Sequence, residues 1–145
     1  MRRFIATLPV VALALAASTL PGRTDDATAT RPMQVADARP AAPEFSGLTN
    51  WQNSAPLTIA GLRGKVVLVN FWTYGCVNCV NTLPHVTQLY SKYRDKGFVV
   101  VGVHTPEFPF ERSTGNVQAA LKRHGITYPV AQDNNSATWN AWRNQ

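Results

Sequence analysis

Cysteine is nearly absent from this chain, with two in 145 residues. Cys76 and Cys79 can form one internal bridge at most, so a disulfide-stapled framework is excluded. No second C-x-x-C exists, which excludes a four-cysteine zinc site. Acidic residues are few, 8 Asp and Glu against 14 Lys and Arg, yet the basic surplus does not gather. Arg63, Lys65, Lys92, Arg94, Lys96, Lys122 and Arg123 are scattered, and no aromatic residues interleave them. A solvated basic surface is expected, not a nucleic-acid groove. No internal repeat is visible.

What is present describes one globular domain behind a leader. The apolar fraction of 45% and aromatic fraction of 10% belong to a folded chain. Met1-Arg2-Arg3 is a basic start, and residues 4–20 are apolar and Ala-rich, with small residues at Ala14-Leu15-Ala16. Residues 1–22 therefore read as a secretory signal or, alternatively, as an N-terminal membrane anchor, and either one exports the remainder. No lipidation cysteine follows. Residues 23–43, rich in Ala, Thr, Asp, Arg and Pro, read as a disordered linker. Residues 44–145 are the expected domain.

Within it, "PLTIAGLRGK" suggests a short strand at Leu57–Ile59. "VVLVNFW", Val66–Trp72, is a β-branched and aromatic run that reads as a strand covered on both faces, as in a parallel sheet. From Cys76 the apolar spacing changes to that of a helix, through Val80, Leu83, Val86, Tyr90 and Tyr93, closing near Gly97, with Pro84 inside it. "FVVVGV", Phe98–Val103, is a second strand, and strand, helix and strand form a right-handed βαβ unit. Ser113–Asn116 supplies the N-cap of a helix over Val117–His124, with Gly125 as its C-cap. "ITYPVAQD" is extended, and "SATWNAWRNQ" begins another helix. The class is α/β.

The cysteine pair is too close in sequence to staple the fold, because so short a loop constrains the unfolded chain little. Chemistry is the better reading. Cys76 falls where a strand meets a helix start, and free N–H groups and the positive end of the helix dipole favour a thiolate there. Cys79, one turn on, can resolve a mixed disulfide.

"NFWTYGCVNC", with Pro84 five residues after Cys79, resembles the thioredoxin active-site segment. "GKVVLVNFWTYGCVNCVNTLPHV", "GFVVVGVHTPEFPFE" and "HGITYPVAQDNNSATWNAW" resemble exported redoxins of the TlpA/ResA/DsbE kind, and most closely the thioredoxin-like domain of DipZ-type cytochrome c biogenesis proteins. The resemblance implies a thioredoxin-like fold and a thiol–disulfide oxidoreductase that needs no cofactor beyond the redox-active pair Cys76–Cys79. Trp72 and Gly75 would flank the sulfurs, Thr73 and Tyr74 would shape the turn, and Val77 and Asn78 would tune the redox potential. Asn70 stands where cytosolic thioredoxins carry a buried Asp, and Glu107 matches a Glu of the exported proteins, which would make it the proton acceptor at Cys79. The implied partners are exported proteins with disulfides, such as apocytochrome c, and a membrane thiol carrier of the CcdA or DsbD type. The implied location is the periplasm or an equivalent exported space, and a monomer is expected. The family continues with a cis-proline loop, two antiparallel strands and a closing helix. No counterpart follows Gln145, so a C-terminally truncated domain is expected, with a bare strand edge and poor stability alone.

Other readings stay open. Cys76, Cys79 and His104, or His85, could hold copper or zinc, with His85 the more exposed and His104 the better placed. Thr73-x-x-Cys76 matches part of a peroxidase motif, but Val69 stands where its proline belongs. A non-catalytic remnant or binding module is the remaining alternative. His124 is expected to serve the C-terminal dipole of its helix, and Trp51, Trp139 and Trp142 are expected to pack.

Overall fold

A computed structural model describes residues 40–145 of the protein. The expected leader, and the linker up to residue 39, lie outside the described residues. Residues 40–43 are exposed and without regular structure.

Four strands form one sheet in the order β1-β4-β3-β2. β2 (Val66–Trp72) runs parallel to β3 (Phe98–His104) in unbroken register, from Val66 opposite Phe98 to Trp72 opposite His104. Both strands arise from β-branched runs that suit a pleated, packed surface. β3 pairs on its other side with β4 (Val130–Gln132), also parallel. β2 is less covered than the sequence suggests. Its faces are mostly half-buried rather than covered, and Val66 is 69% exposed. Its edge position, with β3 as its one partner among the described residues, is the bare strand edge expected from the sequence.

β1 (Thr49–Gln52) is antiparallel to β4, with Thr49 opposite Gln132 and Gln52 opposite Val130. The strand expected at Leu57–Ile59 does not form. The chain instead winds into a 3-10 turn at Ala60–Leu62, because its N–H groups find side-chain acceptors close by. The Glu44 carboxylate accepts from Ile59 N (2.6 Å) and Ala60 N (3.2 Å), and Thr58 Oγ1 accepts from Gly61 N (2.9 Å). Local acceptors of this kind compete with a strand ladder.

α1 (Val77–Tyr93) sets Leu83 and Val86 on the sheet, with Cys79, Val80 and Tyr90 packed beside them. A 3-10 turn follows at Arg94–Lys96, and Gly97 at φ 82° reverses the chain into β3 in a conformation that favours glycine. α2 (Thr114–Arg123) begins three residues before the expected start, since Ser113 Oγ caps it by accepting from Asn116 N at 3.5 Å. His124 is its C-cap. Val117, Ala120 and Leu121 join α1, Val100, Tyr128 and Val130 in one core. Each fully buried Val or Leu there contributes about 1.5–3 kcal/mol.

The opposite face holds a second core of Leu62, Val101 and Val103, flanked by Val67, Val69 and Phe71. α3 (Ala137–Ala141) approaches this face. Its start is fixed by Asp133, which accepts from Thr138 N (3.2 Å) and Trp139 N (2.8 Å). Trp139 stands edge-on to Phe71 at 5.6 Å, Trp142 stacks on Phe45 at 6.0 Å, and Trp51 meets Phe45 at 6.3 Å. The three tryptophans are packing residues. No helix among the described residues is long and apolar enough to cross a membrane.

Candidate active site

The parallel register of β2 and β3 brings their C-terminal ends together, and the chemistry-bearing residues collect there. β2 ends at Trp72, the turn Thr73–Gly75 follows, and Cys76 is the N-cap of α1. Cys76 N donates to Thr73 O (3.4 Å), which closes the turn. Cys76 Sγ accepts from Cys79 N (3.4 Å) and from the Cys79 thiol (2.7 Å). Both cysteines are free and half-buried. Burial pushes the Cys79 thiol up from its ordinary value, its hydrogen bond to Cys76 adds to this, and the nearby charge of Glu107 acts in the same direction. Val77 and Asn78, between the cysteines, are exposed. Pro84 is also exposed, on the side of α1 away from Leu83 and Val86.

A cleft of about 290 Å³ opens beside Cys79. Phe71, Trp72 and Thr73 line it from β2 and the turn, Thr105, Pro106 and Glu107 from the segment after β3, and Trp139 from α3. Glu107 is exposed and shares this cleft with Cys79. Trp72 is committed to the core: its indole stands edge-on to His104 at 5.2 Å. Asn70, on the same strand face as Trp72, leaves its buried Nδ2 without a partner among the described residues, as Tyr128 leaves its hydroxyl, and burial pushes the Tyr128 phenol up to about 12.

His104 and His85 part company. His85 is exposed on α1. His104 is fully buried at the end of β3, stacked on Tyr74 at 5.5 Å, with Nε2 3.3 Å from Thr73 Oγ1. Burial holds its imidazole down to about 4, so it is neutral at physiological pH. Its ring supports the underside of the turn. Among the described residues, no three His, Cys, Asp or Glu side chains are grouped closely enough to hold a metal ion.

The sequence reading missed Glu111. It lies in a 3-10 turn, Pro109–Arg112, and its side chain is fully buried. Oε1 accepts from Gly75 N (3.0 Å), and Oε2 accepts from Glu107 N (2.7 Å) and Phe108 N (2.9 Å). Burial works to raise the carboxyl, but hydrogen bonds from Thr73 and the three backbone N–H groups outweigh it and hold Glu111 below its ordinary value. It is a buried carboxylate that stays charged. One signal could have found it: Pro109 at the first position of a turn with Glu111 at the third is the pattern of a capping carboxylate.

A family model described as Redoxin matches residues 36–145. The chain is 49% identical over 107 residues to Protein DipZ of Mycobacterium bovis, covering 72% of this chain and only 15% of DipZ. It is 29% identical over 103 residues to the thiol–disulfide oxidoreductase YkuV of Bacillus subtilis, covering 71% of this chain and 69% of that one. The crystal structure of a thiol:disulfide interchange protein of the thioredoxin family from Chlorobium tepidum superposes with a TM-score of 0.58 at 34% identity, covering 73% of this chain and 68% of that one.

Proposed function

The chain belongs to the redoxin family, has a thioredoxin-like fold and carries the dithiol of a thiol–disulfide oxidoreductase; from that premise we propose that it reduces disulfides of exported proteins through Cys76 and Cys79. One observation carries the reading: Cys76 Sγ caps the N-terminus of α1 with the Cys79 sulfur 2.7 Å away. Backbone N–H groups and the helix dipole favour negative charge at that position. The Cys76 thiolate attacks one sulfur of a partner disulfide. A Cys76–partner bond forms, and the second partner sulfur leaves as a thiolate. Cys79 then loses its proton and attacks Cys76 Sγ, closing the internal disulfide and releasing the first partner sulfur. Two electrons pass to the partner, and two protons end on its thiols. A membrane thiol carrier of the CcdA or DsbD type resets the pair, and apocytochrome c is a fitting substrate. The basic and apolar leader, residues 1–22, supports work outside the cytoplasm.

The test is reduction of insulin by the full chain with dithiothreitol as electron source. Precipitation of the insulin B chain above the dithiothreitol background supports the reading. Rates equal to background reduce the chain to a binding module.

Glu107 is the candidate acceptor for the Cys79 proton. Its charge already opposes ionisation of Cys79, as a base poised beside an acid does. Glu107→Gln is expected to lower the Cys79 pKa, read as the pH dependence of its alkylation in a Cys76→Ser background. It is also expected to slow the resolving step on the order of tenfold or more. An unchanged alkylation profile would leave Glu107 as a surface carboxylate.

A further inference from the structure

We propose that Glu111 is a positioning residue for thiol exchange, its buried carboxylate clamping the redox turn to the loop that carries Glu107. The inference rests on the oxidoreductase reading. Two observations carry it. The first is the division of the carboxylate: Oε1 holds the peptide N–H of Gly75, the residue before Cys76, and Oε2 holds the N–H groups of Glu107 and Phe108. One side chain thus joins two segments 32 residues apart in sequence. Three backbone donors converge on it, so an acceptor on both oxygens is needed, and an ionised carboxylate supplies that where an amide cannot.

The second is Gly75. Its backbone does not adopt the left-handed region, so conformation does not demand glycine there. Space does. A Cβ on residue 75 would collide with Glu111 Oε1. Glycine before Cys76 is what lets the carboxylate reach the turn. The neighbouring contacts continue the same seam: Tyr74 Oη donates to Phe110 O at 2.8 Å, and the Tyr74 ring lies on His104. The turn that presents Cys76 is therefore held from below by His104 and from the side by the Pro109–Arg112 turn. Cys76 and the Glu107 side of the cleft keep a fixed relation while partner sulfurs exchange.

The experiment compares Glu111→Gln, Glu111→Ala, Gly75→Ala and the double variant Gly75→Ala/Glu111→Ala in the full chain. Two readouts are used. One is the equilibrium of the Cys76–Cys79 pair with a glutathione redox buffer. The other is the rate of the first thiol with 5,5′-dithiobis(2-nitrobenzoic acid), well below the melting temperature. Both Glu111 variants are expected to shift the equilibrium at least threefold toward the dithiol, because a negative charge beside the turn is gone. Glu111→Ala and Gly75→Ala are each expected to slow the first thiol about tenfold. The double variant should be no slower than Glu111→Ala, since the added methyl then meets empty space. A purely structural residue would lower the melting temperature and leave the equilibrium within twofold of the parent. That result, or penalties that multiply in the double variant, overturns the clamp. If Glu111→Ala does not fold, Glu111→Gln and Gly75→Ala decide on the same readouts. Glutathione exchange needs only an accessible dithiol, so the clamp is judged even if the parent fails to reduce insulin, which is the outcome that defeats the functional reading.

Discussion

Serine at position 76 abolishes disulfide reduction, by about a thousandfold or more, while serine at position 79 leaves the first step intact and stalls the chain as a mixed disulfide. This is the expected result, and the asymmetry follows from where each sulfur sits. Cys76 is the N-cap of α1 and the acceptor of two hydrogen bonds, from Cys79 N and the Cys79 thiol. Cys79 is the donor, packed against the core, and its thiol is pushed up by burial. A serine hydroxyl at 76 has no accessible anion at neutral pH, so no attack begins. At 79 the missing sulfur matters only after attack, when nothing is left to displace the partner from Cys76. Incubating Cys79→Ser with an oxidised protein, quenching with acid and weighing the product by mass spectrometry checks this. An adduct that dithiothreitol releases is expected, and none should form with Cys76→Ser. Adducts on both variants would mean that the two thiols are equivalent. Adducts on neither would mean that the pair is a bystander.

Much of this site was legible because it is local. The strand Val66–Trp72, the helix start at Cys76 and the strand from Phe98 are each set by residues within one turn or one pleat of each other. Apolar period and cysteine spacing therefore carried them. Glu111 was not legible for the opposite reason. Glu107 stands closer to the end of β3 and drew the assignment, but its side chain is exposed. The Pro109–Arg112 turn swings the later carboxylate back under Gly75, which is 36 residues earlier in the chain. Only folding brings those donors together. β1 was hidden for a related reason. Thr49–Gln52 has no alternation of apolar and polar residues, and Asn50 sits at φ 48°. Its pairing is dictated by β4, some 80 residues away. At Leu57–Ile59 strand propensity lost to Glu44, whose carboxylate captures the N–H groups a ladder would have used.

Alanine at position 102 is expected to destabilise the domain by about 1–3 kcal/mol, a large share of a typical margin of roughly 5–15 kcal/mol. Gly102 lies in the middle of β3, between Asn70 of β2 and Val130 of β4. A Cβ there would stand 2.9 Å from Val130 Cγ2, 3.1 Å from Tyr128 Cε2 and 3.2 Å from Trp72 Nε1. All three neighbours are buried, so none can swing away into solvent, and close-packed interiors give little. A larger residue such as Val adds to the overlap. Thermal melting should register a fall of several degrees or more for Gly102→Ala, and a greater one for Gly102→Val. The effect also reaches the chemistry, because Trp72 is the last residue of β2 and lines the cleft beside Cys79. A displaced indole alters the wall against which a partner sulfur must settle, so insulin reduction should fall in the fraction that remains folded. The cause can be isolated by adding Val130→Ala, which removes the nearest obstructing methyl. Alone, that change opens a cavity and costs stability. Combined with Gly102→Ala, it should cost less than the two separately, with a favourable coupling of about 0.5 kcal/mol or more. Strict additivity would show that the crowding lies elsewhere. A Gly102→Ala variant as stable as the parent would show that β3 has room at its centre, and that glycine there owes nothing to the packing of Trp72, Tyr128 and Val130.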